Sequence, residues 1–376
     1  MSKTIEPRNA VKNLRGFSPD WPDRTIPELQ QLFGREDVVK LSFNESPYGP
    51  SPQAVAALVA AVSQAHLYHD PEGKDLRSAI AEKYGVGAGN IILANGADEV
   101  ISLIGQAFLS PQDQAIAVEP SFGQYAFVAK LMGAEPVAVP VRADLTADVE
   151  AIVRAINEQT KLIVLCNPNN PTGVITTCEE LEYLAAHTPS HVLLVLDEAY
   201  AEYADDGKYA SGVSLLERYE NVIIVRTLSK IYGLAGLRLG YAIGHASLMD
   251  VINRVRSPFN VNALAQAAAV AALADEGFCL QAAGRNKAER ERVTAALTAV
   301  GYKVYPSQTN FVFVDTGEDS TGLCEFLAHQ GLIIRSGANW KLLDFVRITL
   351  GNAAQNDRLI EAVQSFKKID GACPSQ

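Results

Sequence analysis

No apolar run in the sequence approaches the length of a membrane span. The N-terminal MSKTIEPRNAVKNL lacks the apolar core of a signal peptide. The alanine-rich stretch 262–274 comes nearest to a span, but it is short, holds Gln266 and reads as a packed helix. A cytoplasmic location is therefore expected. No basic stripe is present either: 43 acidic against 32 basic residues give a formal net charge of -11, which argues against a nucleic-acid surface. The five cysteines, Cys166, Cys178, Cys279, Cys324 and Cys373, are odd in number, widely spaced and without a CxxC pair, as expected of thiols in a reducing compartment. His66/His69 and His187/His191 have helical spacing, but Pro189 interrupts the second pair and no acidic or Cys cluster accompanies either, so no metal site is expected. Internal repeats and low-complexity segments are also missing.

What is present is 376 residues, 48% of them hydrophobic and 20% charged, enough for one large domain with a smaller companion. Short apolar runs at 91–94, 115–118, 136–139, 162–165, 192–196, 222–225 and 237–243 read as strands. Between most of them lie helical patterns at 75–84, 97–109, 123–132 and 179–186, and one from a cap at Thr146 to about 157. Such alternation implies an α/β fold whose large domain has a mostly parallel, buried sheet flanked by helices. After a helix at 248–256, the alanine-rich helix and a long charged helix at 277–300, the pattern changes to a smaller α+β domain, with strands at 302–304, 310–314, 332–334 and 345–350 around a helix at 323–330. The expected division is an arm, 1–45, that joins in part to the small domain, a large domain, 46–275, and a small C-terminal domain, 276–376.

Ligands of parallel sheets collect at the carboxyl ends of the strands, so the residues that follow each strand matter most. After 91–94 comes a turn leading straight into a helix, which leaves the N–H groups of Gly96, Ala97 and Asp98 for an anion such as phosphate; an ordinary capped helix is the alternative. After 115–118, EPSFGQY places Phe122 either as an aromatic wall or in the core. CNPNNPTG follows 162–165, and its two Asn-Pro steps favour an extended, rigid loop that presents Asn170. DEAY follows 192–196 with Asp197, which is either an N-cap, a salt-bridge member or a carboxylate awaiting a cation. TLSK ends 222–225 with Ser229 and Lys230, and Arg238 comes after. Together these supply a phosphate nest, an aromatic ring, an amide, a carboxylate, a phenol, an amine and an arginine. That set suits a phosphorylated, aromatic, carbonyl cofactor.

NPNNPTG, DEAY, TLSKIYGLAGLRLGY and FVRITLG, with FNESPYGP and NGADE, resemble the fold-type I pyridoxal-phosphate aminotransferases, specifically the histidinol-phosphate aminotransferase group, over roughly residues 38–366. The resemblance implies pyridoxal 5′-phosphate as cofactor, with Lys230 bonding its aldehyde and then moving the proton between Cα and C4′. It implies Asp197 on the pyridine nitrogen, Tyr200 and Asn170 on the 3-oxygen, and Ser229, Arg238 and the backbone around Ala97 and Asp98 on the phosphate. Phe122 matches the position that stacks on the ring, where the family often has tyrosine. Tyr68 matches a tyrosine donated by the partner subunit, which implies a homodimer. Arg347 matches the arginine for the substrate α-carboxylate, and Arg335 the one for the phosphate of histidinol phosphate. Where some members have a phosphate-binding tyrosine in the arm, this chain has Phe17, and Trp340 adds an aromatic near Arg335 and Arg347. The implied reaction exchanges the amino group of histidinol phosphate with 2-oxoglutarate. An aromatic amino-acid aminotransferase, a phospho-amino-acid decarboxylase and a non-catalytic cofactor-binding protein are the alternatives.

Overall fold

The computed structural model describes residues 5–12, 14, 16 and 20–370. Two sheets organise it, with a short two-stranded pairing at their margin. Strand β1 (Val39–Lys40) lies in the arm. The large sheet is built from β2 (Ile91–Ala94), β3 (Gln114–Glu119), β4 (Glu135–Pro140), β5 (Thr160–Cys166), β6 (Leu193–Asp197), β7 (Val222–Thr227) and β8 (Gly240–Gly244). Its order is β2-β8-β7-β6-β5-β3-β4. Only β8 runs antiparallel to its neighbours. Every residue of β6 and β7 is buried. Because side chains alternate, Leu194, Leu196 and Ile224 pack into the core on one face while Leu193, Val195, Ile223 and Val225 fill the other. Helices cover both faces, which explains the unbroken apolar runs in the sequence.

Five more strands follow in the chain: β9 (Lys303–Val304), β10 (Phe311–Asp315), β11 (Leu332–Ile333), β12 (Arg335–Ser336) and β13 (Phe345–Thr349). Strands β12, β13, β10 and β9 pair antiparallel in that order, and β11 pairs with β1 of the arm. The arm thus pairs with a strand of the C-terminal region in a two-stranded sheet of its own.

Three local differences from the sequence reading have physical causes. Thr146 caps no helix: Leu145 turns the chain at φ 67, and Asp148 instead accepts from the Ala151 N–H at 2.8 Å to start the helix Val149–Ala155. The last large-sheet strand starts at Gly240 rather than 237, because Arg238 sits in the left-handed region at φ 56. The arm, where the sequence reading places no helix, holds an eight-residue one, Ile26–Phe33, with a Thr25/Glu28 capping box. Among the described residues no single helix is long and apolar enough to cross a bilayer. Only Ala263–Ala274 and Glu276–Ala299 taken together reach the length and composition, and they bend by 77°. The first of them buries Ala265, Ala268, Ala269 and Ala272 in the core.

Candidate active site

A cavity of about 610 Å³ opens at the carboxyl ends of β5, β6 and β7, with residues of the small sheet on its far side. Ala97, Asp98, Phe122, Asn170, Asp197, Tyr200, Ser229, Lys230, Arg238, Arg335 and Arg347 all line it. Gly96 lies beneath the wall: at φ 84 it begins the helix Ala97–Phe108, and an added Cβ would meet Arg238 Nη2 at 2.7 Å. Tyr68 is not part of this wall. It is 86% exposed and packs on Phe259, ring centres 4.8 Å apart. Phe17 lies outside the described residues.

Lys230 is held from behind. β7 ends at Thr227, whose Oγ1 accepts from the Ser229 N–H at 3.1 Å, and the Lys230 carbonyl accepts from Gly233 N–H at 3.0 Å. The Lys230 amine reaches the cavity floor, donating to the Phe43 carbonyl at 3.1 Å. Desolvation there, helped by the positive charge of Arg347, lowers its pKa to about 8. Such an amine is neutral far more often at physiological pH than an ordinary lysine, as a nucleophile must be.

Asp197, at the end of β6, accepts from the Tyr125 hydroxyl at 2.8 Å and the Ala199 N–H at 3.1 Å. Burial outweighs these two donors and pushes its pKa to about 6. Among the described residues it has no ion-pair partner and caps no helix, which leaves the third reading: a buried carboxylate facing a cavity without its cation. The Tyr200 hydroxyl accepts from Asn44 Nδ2 at 2.9 Å, and burial drives its pKa upward.

On the opposite wall Arg347 donates to Asn170 Oδ1 at 2.5 Å and to the Ser42 carbonyl at 2.7 Å. Its guanidinium lies near the rings of Phe311 (5.4 Å) and Trp340 (5.3 Å), and its buried Nε has no partner. Burial lowers its pKa to about 10, so it stays charged at neutral pH. Arg335 pairs with Asp23 of the arm at 2.6 Å and lies over the Phe43 ring. Trp340 donates its indole N–H to the Ser121 carbonyl at 3.2 Å.

The Asn-Pro loop differs from the extended form expected of it. Both Asn-Pro peptides are cis, and Gly173 N–H bonds back to the Asn169 carbonyl at 2.7 Å, closing a turn that the Asn169 side chain ties to Pro120 and Thr172. Asn170 still reaches the cavity. Sequence reasoning missed Asn44, Tyr125, Thr227 and Asn339. Asn44 stood in the quoted FNESPYGP, and Tyr125 lies one helical turn beyond Phe122.

Residues 36–363 match the family described as aminotransferase class I and II. The chain belongs to that family. It is 41% identical over 352 residues, 94% of this chain and 96% of the relative, to a histidinol-phosphate aminotransferase from Geobacillus thermodenitrificans (strain NG80-2). It is 39% identical over 365 residues, 97% and 98% of the two chains, to histidinol-phosphate aminotransferase 1 of Nitrosococcus oceani. Among solved structures, histidinol-phosphate aminotransferase from Sinorhizobium meliloti in complex with pyridoxal-5′-phosphate matches with TM-score 0.89 and 29% identity, over 98% of this chain and 99% of that one. A double mutant of Thermus thermophilus aspartate aminotransferase matches with TM-score 0.85 and 26% identity, over 97% and 100%. The fold is that of the fold-type I aminotransferases.

The donor set of this aminotransferase fits pyridoxal phosphate. One end of the cavity gathers the N-terminus of the 12-residue helix Ala97–Phe108, the Ser229 hydroxyl and Arg238, which suits a phosphate. At that end Arg238 pairs with Asp98 at 3.2 Å. The middle offers Asp197, a carboxylate lacking a cation, which suits a protonated pyridine nitrogen, and Lys230 supplies the amine for an aldehyde.

Proposed function

We propose that this chain is a pyridoxal-phosphate-dependent aminotransferase that moves the amino group of histidinol phosphate to 2-oxoglutarate. The observation that carries the reading is the convergence of Lys230, Asp197 and Arg347 on one cavity with an anion-binding helix end. When bound, the cofactor supplies an aldehyde that accepts amines and a ring that takes up the electron pair left as the Cα proton departs. Lys230 would bond the aldehyde, and its amine would serve as the base that moves the proton from the substrate Cα. Asp197, ionised above about pH 6, favours positive charge on the ring nitrogen. Tyr200 and Asn170 hold the 3-oxygen; Ser229, Arg238 and the N–H groups of Ala97 and Asp98, above Gly96, hold the phosphate. Phe122, in the cavity wall, would cover one face of the ring.

Arg347 takes the α-carboxylate of glutamate, and Arg335 the phosphate of histidinol phosphate. Both arginines line the cavity, and the named relatives support this substrate. An aromatic amino acid is the second reading, favoured by Trp340 and Phe43 in the same wall. Comparing kcat/KM for histidinol phosphate, phenylalanine and tyrosine, with 2-oxoglutarate as acceptor, decides between them. The expected order puts histidinol phosphate first by at least about tenfold, the scale of one lost anion contact. A higher value for either aromatic acid transfers the assignment.

We read the protein as a homodimer in which Tyr68 serves the partner's phosphate site. Its exposure beside exposed Val59, Val62 and Leu67 supports this reading. We read residues 46–275 as the cofactor-binding domain, and the described residues of 276–376 with part of the arm as the smaller one, a reading that the β1–β11 pairing supports. A cytoplasmic setting agrees with free Cys166, Cys178, Cys279 and Cys324.

The depressed pKa of Lys230 gives a pH prediction. When cofactor-free protein is mixed with pyridoxal phosphate, the rate at which the visible band grows rises with pH and flattens above about 8, where the amine is neutral. A rate still climbing towards pH 10 shows that Lys230 titrates as an ordinary lysine.

A further inference from the structure

Tyr125 is a buried phenol with no part in the chemistry above. It sits in the first turn of the helix Gln124–Met132 and is 5% exposed, packed in the core beside the Cys166 thiol, and two of its contacts lead to proposed cofactor-binding groups. Its hydroxyl donates to Asp197 Oδ2 at 2.8 Å. Its ring meets the Phe122 ring edge-on, centres 5.8 Å apart and planes at 83°. Phe122 itself is 36% exposed at the cavity wall.

We propose that Tyr125 is a positioning residue for the cofactor ring, holding the Asp197 carboxylate ionised and aimed with its hydroxyl while its ring sets the angle of Phe122. The inference rests on the cofactor assignment above. A hydrogen bond donated to a carboxylate favours the charged form, and a neutral phenol does so without adding a competing cation. That distinction matters here. A cationic partner would satisfy Asp197 within the protein and remove its preference for a positive ring nitrogen, whereas the phenol leaves the negative charge available. The remaining groups around Asp197 work against its ionisation: the site is desolvated, and Asp98 on the neighbouring helix and Glu198 next in the chain both disfavour a further negative charge. The Cys166 thiol of β5 and the Tyr200 phenol also adjoin this cluster, and burial drives both well up, so they stay neutral. Of these groups, Tyr125 is the side chain that donates to Asp197; the other donor is the Ala199 backbone N–H, which no substitution of a side chain removes. The burial of the phenol pushes its own pKa well above the ordinary value, so it remains a donor across the working pH range.

The test is Tyr125→Phe, which keeps the ring and its contact with Phe122, studied beside Asp197→Asn and the double variant as holoenzymes. In Tyr125→Phe the acid limb of the kcat/KM profile moves up by about 1 on the pH scale and pyridoxal phosphate binds about tenfold more weakly, while KM for the amino donor stays within about twofold. In the Asp197→Asn background, where nothing titrates at that position, the same substitution changes kcat and cofactor affinity by less than about twofold, because the two changes remove one interaction. An acid limb that does not move, or losses that add across the two backgrounds, overturns the proposal. So does a Tyr125→Phe protein that no longer shows a cooperative melt, since the hydroxyl would then be a folding bond. Failure of the cofactor assignment looks different: wild-type protein would gain no visible band with pyridoxal phosphate.

Discussion

Lys230→Ala loses turnover by at least about 10⁴-fold, the upper range for one acid–base group, and fails to develop the visible band with pyridoxal phosphate. Both losses follow from one geometry. The lysine follows β7 directly, its backbone fixed by Gly233 and its amine resting on the Phe43 carbonyl at 3.1 Å. Among the described residues no other lysine lines the cavity. Truncation therefore removes the only amine able to bond an aldehyde there. The fold should survive, since the side chain points into a cavity and its single hydrogen bond goes to a carbonyl that water can satisfy. Circular dichroism and a thermal melt check this: a melting temperature within a few degrees of wild type, alongside absent turnover, separates chemistry from stability. An active Lys230→Ala enzyme would sink the mechanism.

Asp197→Asn is the second large effect, and its sign differs between stability and activity. The folded carboxyl titrates at about 6 against an ordinary 3.8, mainly through burial, so the folded protein binds the proton more tightly than the unfolded chain. Stability from this group is thus present at low pH and lost as pH rises through about 6, and at neutral pH its ionised form is a net cost. The neutral amide keeps a similar shape: its oxygen accepts from the Ala199 N–H, and its NH2, in place of Oδ2, donates to the Tyr125 hydroxyl, which turns from donor to acceptor. Cofactor-free Asp197→Asn should therefore melt no lower than wild type at pH 7. Activity moves the other way: an amide cannot favour a positive ring nitrogen, and kcat falls by about 10³-fold, as for loss of one preorganised electrostatic group. Calorimetry on the apoprotein and steady-state kinetics on the holoenzyme check the two halves. Equal loss of stability and activity would make Asp197 a folding residue.

Most of the large sheet was legible because its strands are buried on both faces and so read as plain apolar runs ending in polar turns. Leu193–Asp197 is the clearest case: four aliphatic residues followed by a carboxylate mark both the strand and the place where it opens onto the cavity. The small sheet was legible more coarsely, since β9, β11 and β12 are two residues each and owe their form to pairing with distant partners. The C-terminal helix Ala353–Asp370 escaped notice because its polar sequence buries a thin stripe that includes Leu359 and Val363. At the site, groups that follow strands were found. Those that arrive from elsewhere in the chain were not: Tyr125 meets Asp197 across 72 positions, Asn44 meets Tyr200 across 156, and Asp23 meets Arg335 across 312. The Asp23 contact also changes the picture of Arg335, proposed above as the phosphate-binding arginine: one edge of its guanidinium is already paired to the arm.

The central claim is that this cavity transfers an amino group from histidinol phosphate to 2-oxoglutarate. Purified holoenzyme given both compounds should form glutamate and imidazole acetol phosphate in equal amounts, with 2-oxoglutarate required for continued turnover. Absence of glutamate, from protein that shows the visible band of bound cofactor, would contradict it.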